Sequence, residues 1–483
     1  MENFNLFSQL RFSNCFHQLD KYFFSYQQPE PVNKPGLVHI NPLMTNQFGF
    51  DVKKLCSNEF YQMTSANKLW RDNKPLASNY SGRQFGEFIY PLEYGQESLF
   101  GEIKTAGNQL WELQLKSTAK TFYKDSKGGR YEFNNTIREY LYSEALAAQN
   151  IPTTRSLAMI FSEEDSYLKQ INNAPVMLQL SSSFINFGHF KFLASKHQYQ
   201  QLKELTDFVI KHFYPQSLSN DTDNIYLSFF YQVLERTAKL VAKWQSVGFY
   251  YGALNSEQMS ILGLTLVNGE HAFLEKYNRQ FRCNHSEDQH QYSFINQPSM
   301  ALWNLQCLAQ SLSSFFSEKD AKEVLDKYEH IFQQEFDSLM FEKLGICYKT
   351  DFENTNLISD LLSLMDADKV DYNDFFRKLS SYAVYSKESN SYQQLQSMFI
   401  QTEKFDLWSD QYDQRIIKQK KSCKYRKNHL NATNPKHILR NDIVQEAIES
   451  VEHALVEKTE FKQFNSLVEL LTQPYSDHPI MEE

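Results

Sequence analysis

Several residues in this chain have the types and spacing for phosphate chemistry. Lys116 ends the segment WELQLK, where Trp111, Leu113 and Leu115 alternate with Glu112, Gln114 and Lys116. Alternation of period two predicts a half-buried strand with the lysine on its polar side. Glu144 shares a helical stripe with Ile137, Leu141 and Ala148, and an unpaired carboxylate on such an apolar face is costly. A cation is therefore expected to meet it, and Lys116 is the candidate; a strand lysine fixed by a helix glutamate is an arrangement that holds phosphates. Gly128-Gly129 in KDSKGGR predicts a flexible loop whose amides can approach phosphate, although glycines make plain turns equally well. His285 in CNHSE has the residue type of a proton carrier, but a hydrogen-bonded structural histidine is the plainer reading.

These residues must be positioned by the elements around them. Residues 1–75 mix aromatics with proline joints and are expected to form an irregular arm wrapped on the body. Residues 76–186 read as a mainly β first lobe, with strands at WELQLK, SLAMIFS and APVMLQLS, and a helix from about Asn135 ended by Asn150 and Pro152. Residues 187–483 have helical period almost throughout, including a long helix through Leu227, Leu234 and Trp244 closed by Gly248. Within that lobe, 249–270 runs from a polar loop, Asn255-Ser256-Glu257-Gln258, into an apolar segment expected to reverse as a hairpin at Asn268-Gly269. Helix, polar loop and hairpin in that order resemble the catalytic segment of a protein-kinase-like lobe. The expected fold is α+β and bilobal.

Composition narrows the field further. A chain of 483 residues with 41% hydrophobic and 15% aromatic content can bury a large core in two lobes. A net charge of −9 argues against a nucleic-acid binder. Its one basic run, KQKKSCKYRK at Lys418–Lys427, reads as a solvated surface. The six cysteines form no CxxC pair and fit a reducing compartment. No signal peptide or apolar run long enough for a membrane span is visible, so a soluble, cytoplasmic protein without membrane or nucleic-acid partners is expected. DADKVDYNDFFR begins like a calcium loop, but Asp371 stands at the glycine position and Arg377 at that of the closing glutamate.

Taken in order, SGRQFG, WELQLK, TIREYLYSEAL, IPTTR, RTAKLVAKWQSVGF, NSEQMSILGLT, CNHSE, NQPSMALWNL and NPKHILRN resemble the signatures of the selenoprotein O (YdiU) family, from about residue 35 to Tyr475. The resemblance implies a protein-kinase-like fold and transfer of AMP from ATP, with Mg²⁺ or Mn²⁺, onto Ser, Thr or Tyr of target proteins. It places the phosphate lysine at Lys116 and its helix glutamate at Glu144. Of the first glycine-rich turn only Gly95 is kept, with Glu93 where a glycine belongs and Gln96 where an arginine belongs. Gly128 and Gly129 remain of the second, without its aspartate, and two nucleotide-binding arginines fall on Gln179 and Asn186. The base aspartate becomes Glu257, the metal-binding asparagine Gln258 and the metal-binding aspartate Val267. Glutamate and glutamine keep the oxygen at longer reach, and a displacement of about 1 Å can cost on the order of 10²-fold in rate. Valine cannot hold a hard cation at all. The expectation is a retained fold with weak or lost metal-dependent AMP transfer, acting as a nucleotide-binding or regulatory pseudoenzyme. The alternative is an active transferase that recruits Glu270, Glu275, Glu287 or Asp288 as a metal ligand.

Overall fold

The computed structural model describes residues 15–477, except 27–28, 30, 69–74, 79–82, 85–86, 89–96, 105–108, 117–127, 163–174, 220–223, 253, 268, 270, 284–290 and 347–353. Gly95, Glu93, Gln96, Glu270, His285, Glu287 and Asp288 lie outside the described residues.

The first lobe is organised on a seven-stranded antiparallel sheet. Its strands are β1 (Phe24–Tyr26), β2 (Pro35–Ile40), β3 (Leu76–Ser78), β6 (Glu97–Lys104), β7 (Leu110–Lys116), β8 (Arg155–Ser162) and β9 (Val176–Ser181); the short pair β4 (Arg83–Gln84) and β5 (Glu87–Phe88) stands apart. The order β1-β3-β6-β7-β9-β8-β2 puts WELQLK on the central strand. Leu113 and Leu115 of β7, with Leu178 and Leu180 of β9, face a cluster built from Met44, Phe48, Leu55, Phe60 and Met63. Those residues belong to α1 (Pro42–Phe48), α2 (Val52–Leu55) and α3 (Asn58–Thr64). The N-terminal region is thus more than the irregular arm expected from sequence. It supplies both edge strands of the sheet, and its helices cover an apolar face that would otherwise meet water.

On the other side of the sheet lies α4 (Gly128–Ala148), whose Ile137, Tyr140, Leu141 and Leu146 are fully buried. It starts about seven residues earlier than its apolar stripe suggests, so Gly128 and Gly129 open a helix where a flexible loop was expected. Asn150 ends the turn at φ +58°, as its residue type predicts. The helix is clamped from behind by the chain's far end: Phe464 packs edge-on to His39 and against Tyr140, at 5.9 and 5.8 Å between ring centres.

The second lobe is helical. Two of its helices matter for the cleft, α5 (Phe187–Ser195) and α6 (Ile225–Val247). Asn224 caps α6 by accepting from the amides of Tyr226 and Leu227. Gly248 closes it at φ +70°, where a Cβ would come within 3.0 Å of Tyr372, so both backbone angle and space require glycine. Asn268 of the hairpin expected at Asn268-Gly269 lies outside the described residues. The chain reverses earlier, at Gly263 (φ +69°), inside a Met259–Thr265 bridge, and the ladder it later makes is the pair Phe249–Tyr250 with Ala272–Phe273. No described helix is long and apolar enough to cross a membrane.

The DADKVDYNDFFR carboxylates serve local structure. Asp368 accepts from the amides of Ile400 and Gln401, while Asp371 caps Tyr372–Lys378 and pairs with Arg440 at 2.8 Å. Most of the basic run is exposed, but Arg426 is buried beneath Tyr382 and Tyr412.

Candidate active site

The interlobe cleft is lined by Gln114, Lys116, Thr154, Gln179, Phe184, Asn186, Glu257, Gln258, Leu266 and Val267, and measures about 390 Å³ counted with its open mouth. Of the candidates named from sequence, Lys116, Glu257 and Gln258 meet here. Gly128 and Gly129 begin α4 and are not among the lining residues.

Lys116 is held by a carboxylate, but not the expected one. Its Nζ lies 2.7 Å from Glu139 Oε2, with side chains 18% and 4% exposed respectively. Glu144 instead accepts from Arg155 Nε at 3.1 Å and Nη2 at 2.6 Å, and from the Ser156 amide at 3.1 Å. The reason is helical geometry. Glu144 lies five positions after Glu139, which at about 100° per residue turns them about 140° apart around α4. One can face the cleft end of β7 while the other faces the start of β8. Glu144 therefore locks α4 to β8 and has no part in holding Lys116.

The loop carrying Glu257 is fixed from three sides. From α5, the amides of Phe187 and Gly188 donate to the carbonyls of Met259 and Ser256 at 2.9 and 3.1 Å. From α7 (Gln297–Ser311), Asn304 accepts from Ser256 Oγ at 3.0 Å and donates to Leu254 O at 3.1 Å. From the core, Tyr251 donates its hydroxyl to Leu266 O and Gln258 O, and its ring stacks on Trp244, which donates to Thr265 Oγ1. Glu257 packs over Gly188: a Cβ there would lie 3.2 Å from Glu257 Cγ and 3.0 Å from Asn186 Oδ1. Asn304, Tyr251 and Gly188 were not picked out from sequence. A lone asparagine inside the apolar text ALWNL was the available signal, since a fully buried amide must have partners.

Electrostatics follow from burial. His271, whose Nδ1 lies 2.6 Å from the Tyr251 carbonyl, has its pKa lowered to about 4 by burial, with the Lys116 charge adding to the effect. Glu112, two residues before Gln114, accepts from Ser183 Oγ at 3.0 Å and the Phe184 amide at 2.8 Å, tying the central strand to the connection between lobes. Burial raises its pKa to about 8, against the lowering effect of those two bonds.

Among the described residues, the position where the resemblance implies a metal-binding aspartate offers a divalent ion no oxygen ligand. Val267 is 2% exposed and belongs to the main hydrophobic cluster. Glu275, one of the substitute ligands considered, is exposed and accepts from the Asn441 amide. Among the described residues no group of three His, Cys, Asp or Glu side chains could hold a metal.

The family model for the protein adenylyltransferase SelO matches residues 6–472. The chain belongs to the SelO family. Its relatives include the protein nucleotidyltransferase YdiU of Photobacterium profundum, 34% identical, that of Pseudomonas fluorescens, 34% identical, and that of Stutzerimonas stutzeri, 35% identical. Each alignment covers 98% of this chain and 95% of the relative. The antiparallel first lobe and helical second lobe are accordingly the bilobal, kinase-like α+β fold of SelO proteins. The family is one of nucleotidyltransferases that act on proteins, with ATP as the nucleotide.

Proposed function

We propose that this SelO-family protein is a nucleotide-binding, regulatory member in which metal-dependent transfer of AMP from ATP to Ser, Thr or Tyr of proteins is weak or lost. It would act in the cytoplasm, with a protein partner and with 249–270 as the catalytic-loop equivalent. The observation that carries the reading is Val267, a buried aliphatic side chain that lines the cleft together with Gln258. Mg²⁺ requires oxygen ligands in near-octahedral array, and an isopropyl group supplies none. Nucleotidyl transfer depends on metal and cationic groups to offset phosphate charge. Lys116 alone among the lining residues is cationic, and Glu139 already balances it. Gln179 and Asn186 hold amides where the family resemblance implies arginines.

The competing reading, a working transferase with relocated ligands, draws on Glu257, a carboxylate mounted at the cleft on a firmly held loop. Incubation with α-labelled ATP and Mg²⁺ or Mn²⁺ separates the two. Negligible label on this chain and on added protein is expected. Label that disappears in Glu257→Ala overturns the proposal.

A further inference from the structure

Two polar atoms in the cleft have no hydrogen-bond partner among the described residues, Gln179 Nε2 and Thr154 Oγ1. Gln179 is 3% exposed and Thr154 1%, and both line the cavity. Buried polar groups in folded proteins nearly always have partners, so two orphans in one cleft mark it as built for something that supplies them.

Their surroundings say what chemistry that is. Gln179 lies directly opposite Gln114 across the β7–β9 pair, so both side chains rise from the same face of the sheet as Lys116. With Asn186 and Gln258 they give the lining four carboxamides. The charged lining residues are Lys116, paired with Glu139 at 2.7 Å, and Glu257. The remaining lining groups, Phe184, Leu266 and Val267, are apolar. A triphosphate would bring several negative charges into a space where, among the described lining residues, the one cation is already balanced and Glu257 adds a carboxylate. Carboxamides beside apolar and aromatic walls suit an uncharged heterocycle instead, since an amide's donor and acceptor match the edge of a ring such as adenine.

We infer that the cleft binds an uncharged nucleoside, without metal and in preference to a nucleoside triphosphate, with Gln179 and Thr154 supplying its unmet hydrogen bonds. This names the ligand class of the site under Proposed function and rests on that reading of it.

The test is calorimetric titration of the full chain with adenosine in EDTA, beside ATP with EDTA and ATP with Mg²⁺. Adenosine is expected to bind saturably, no more weakly than ATP, and equally with or without Mg²⁺. Gln179→Leu and Thr154→Val are each expected to weaken it roughly tenfold, the loss of one buried hydrogen bond. Should Gln179→Leu fail to fold, Thr154→Val carries the comparison. No adenosine binding at millimolar concentration, ATP·Mg²⁺ binding tenfold or more tighter than adenosine, or adenosine affinity untouched by the substitutions would each overturn the inference. Transfer of label is measured separately. Absent adenosine binding with absent transfer removes only the ligand assignment, whereas transfer removes the reading of the site itself.

Discussion

The assignment of Lys116 to Glu139, and of Glu144 to Arg155, can be tested by a pair of double-mutant cycles. The Lys116–Glu139 contact is 2.7 Å long, with Glu139 almost fully buried and Lys116 mostly so. Removing one partner of a buried pair strands the other charge and costs about 3–5 kcal/mol. The partial exposure of Lys116 places Lys116→Met and Glu139→Leu near the lower end, about 3 kcal/mol each. Removing both charges, as Lys116→Met with Glu139→Leu, leaves nothing stranded and is expected to return to within about 1 kcal/mol of the parent. Glu144→Gln should destabilise on its own, since Glu144 accepts from Arg155 and the Ser156 amide. Combined with Lys116→Met its effect should add, to within about 0.5 kcal/mol, because the two share no partner. Urea unfolding followed by tryptophan fluorescence reports on this lobe through Trp111, on the same strand as Lys116. If Lys116 couples to Glu144 and adds with Glu139, the assignment is wrong.

Three further outcomes follow from the same geometry. Val267→Asp, alone or with Gln258→Asn, puts a charge where an aliphatic side chain is 2% exposed, and is expected to cost about 3–5 kcal/mol in EDTA. Mg²⁺ should recover part of that loss in a melting experiment, and an equal melting temperature with and without Mg²⁺ would show that an aspartate alone does not restore an ion site. Gly188→Ala should destabilise by about 1–3 kcal/mol, because the new methyl sits 3.0 Å from Asn186 Oδ1 and 3.2 Å from Glu257 Cγ; an unchanged urea midpoint would mean that Glu257 moves aside freely. For pH, His39, His189 and His271 are each lowered to about 4 by burial, from 6.5. Their neutral forms therefore stabilise the fold above pH 6.5, and that stability is lost as pH falls through 4. Glu112 has the opposite sign: raised from 4.5 to about 8, its contribution is complete below pH 4.5 and lost as pH rises through 8. The urea midpoint of Glu112→Gln relative to the parent should therefore rise between those values, and parallel pH profiles would refute the assignment.

Local patterns made much of this fold legible. The alternation in WELQLK gives the strand and its polar face, and Asn150 and Gly248 mark two helix ends at positive φ. Motif order alone identifies the family. What escaped depends on partners remote in sequence. β2 pairs with β8 about 120 residues on, so nothing within residues 1–75 reveals that they finish the sheet. Glu144 was rightly placed on a buried stripe, but a helical wheel gives a face without saying which cation arrives there; Arg155, eleven residues later and just past the Pro152 turn, was the nearer choice.

By the family resemblance, the neutral residues of the cleft make physical sense as a set. A site that grips a divalent ion gathers carboxylates that repel one another until the ion arrives, so its apo form carries a cost that metal binding offsets. Here Val267 joins the hydrophobic cluster, Gln258 presents an amide, and Gln179 and Asn186 put neutral groups beside the balanced Lys116–Glu139 pair. By the family resemblance, Val267, Gln179 and Asn186 stand where charges would need an ion or a phosphate to neutralise them, while Gln258 keeps a neutral amide. Restoring one aspartate would bring back the cost without the full set of ligands that repaid it. Meanwhile the hydrogen bonds from Asn304, Tyr251 and the α5 amides still hold the Glu257 loop in one shape. On the proposed reading, a cleft whose one cation among the described lining residues is already paired, and whose Glu257 wall is held in one shape, is suited to bind without turnover.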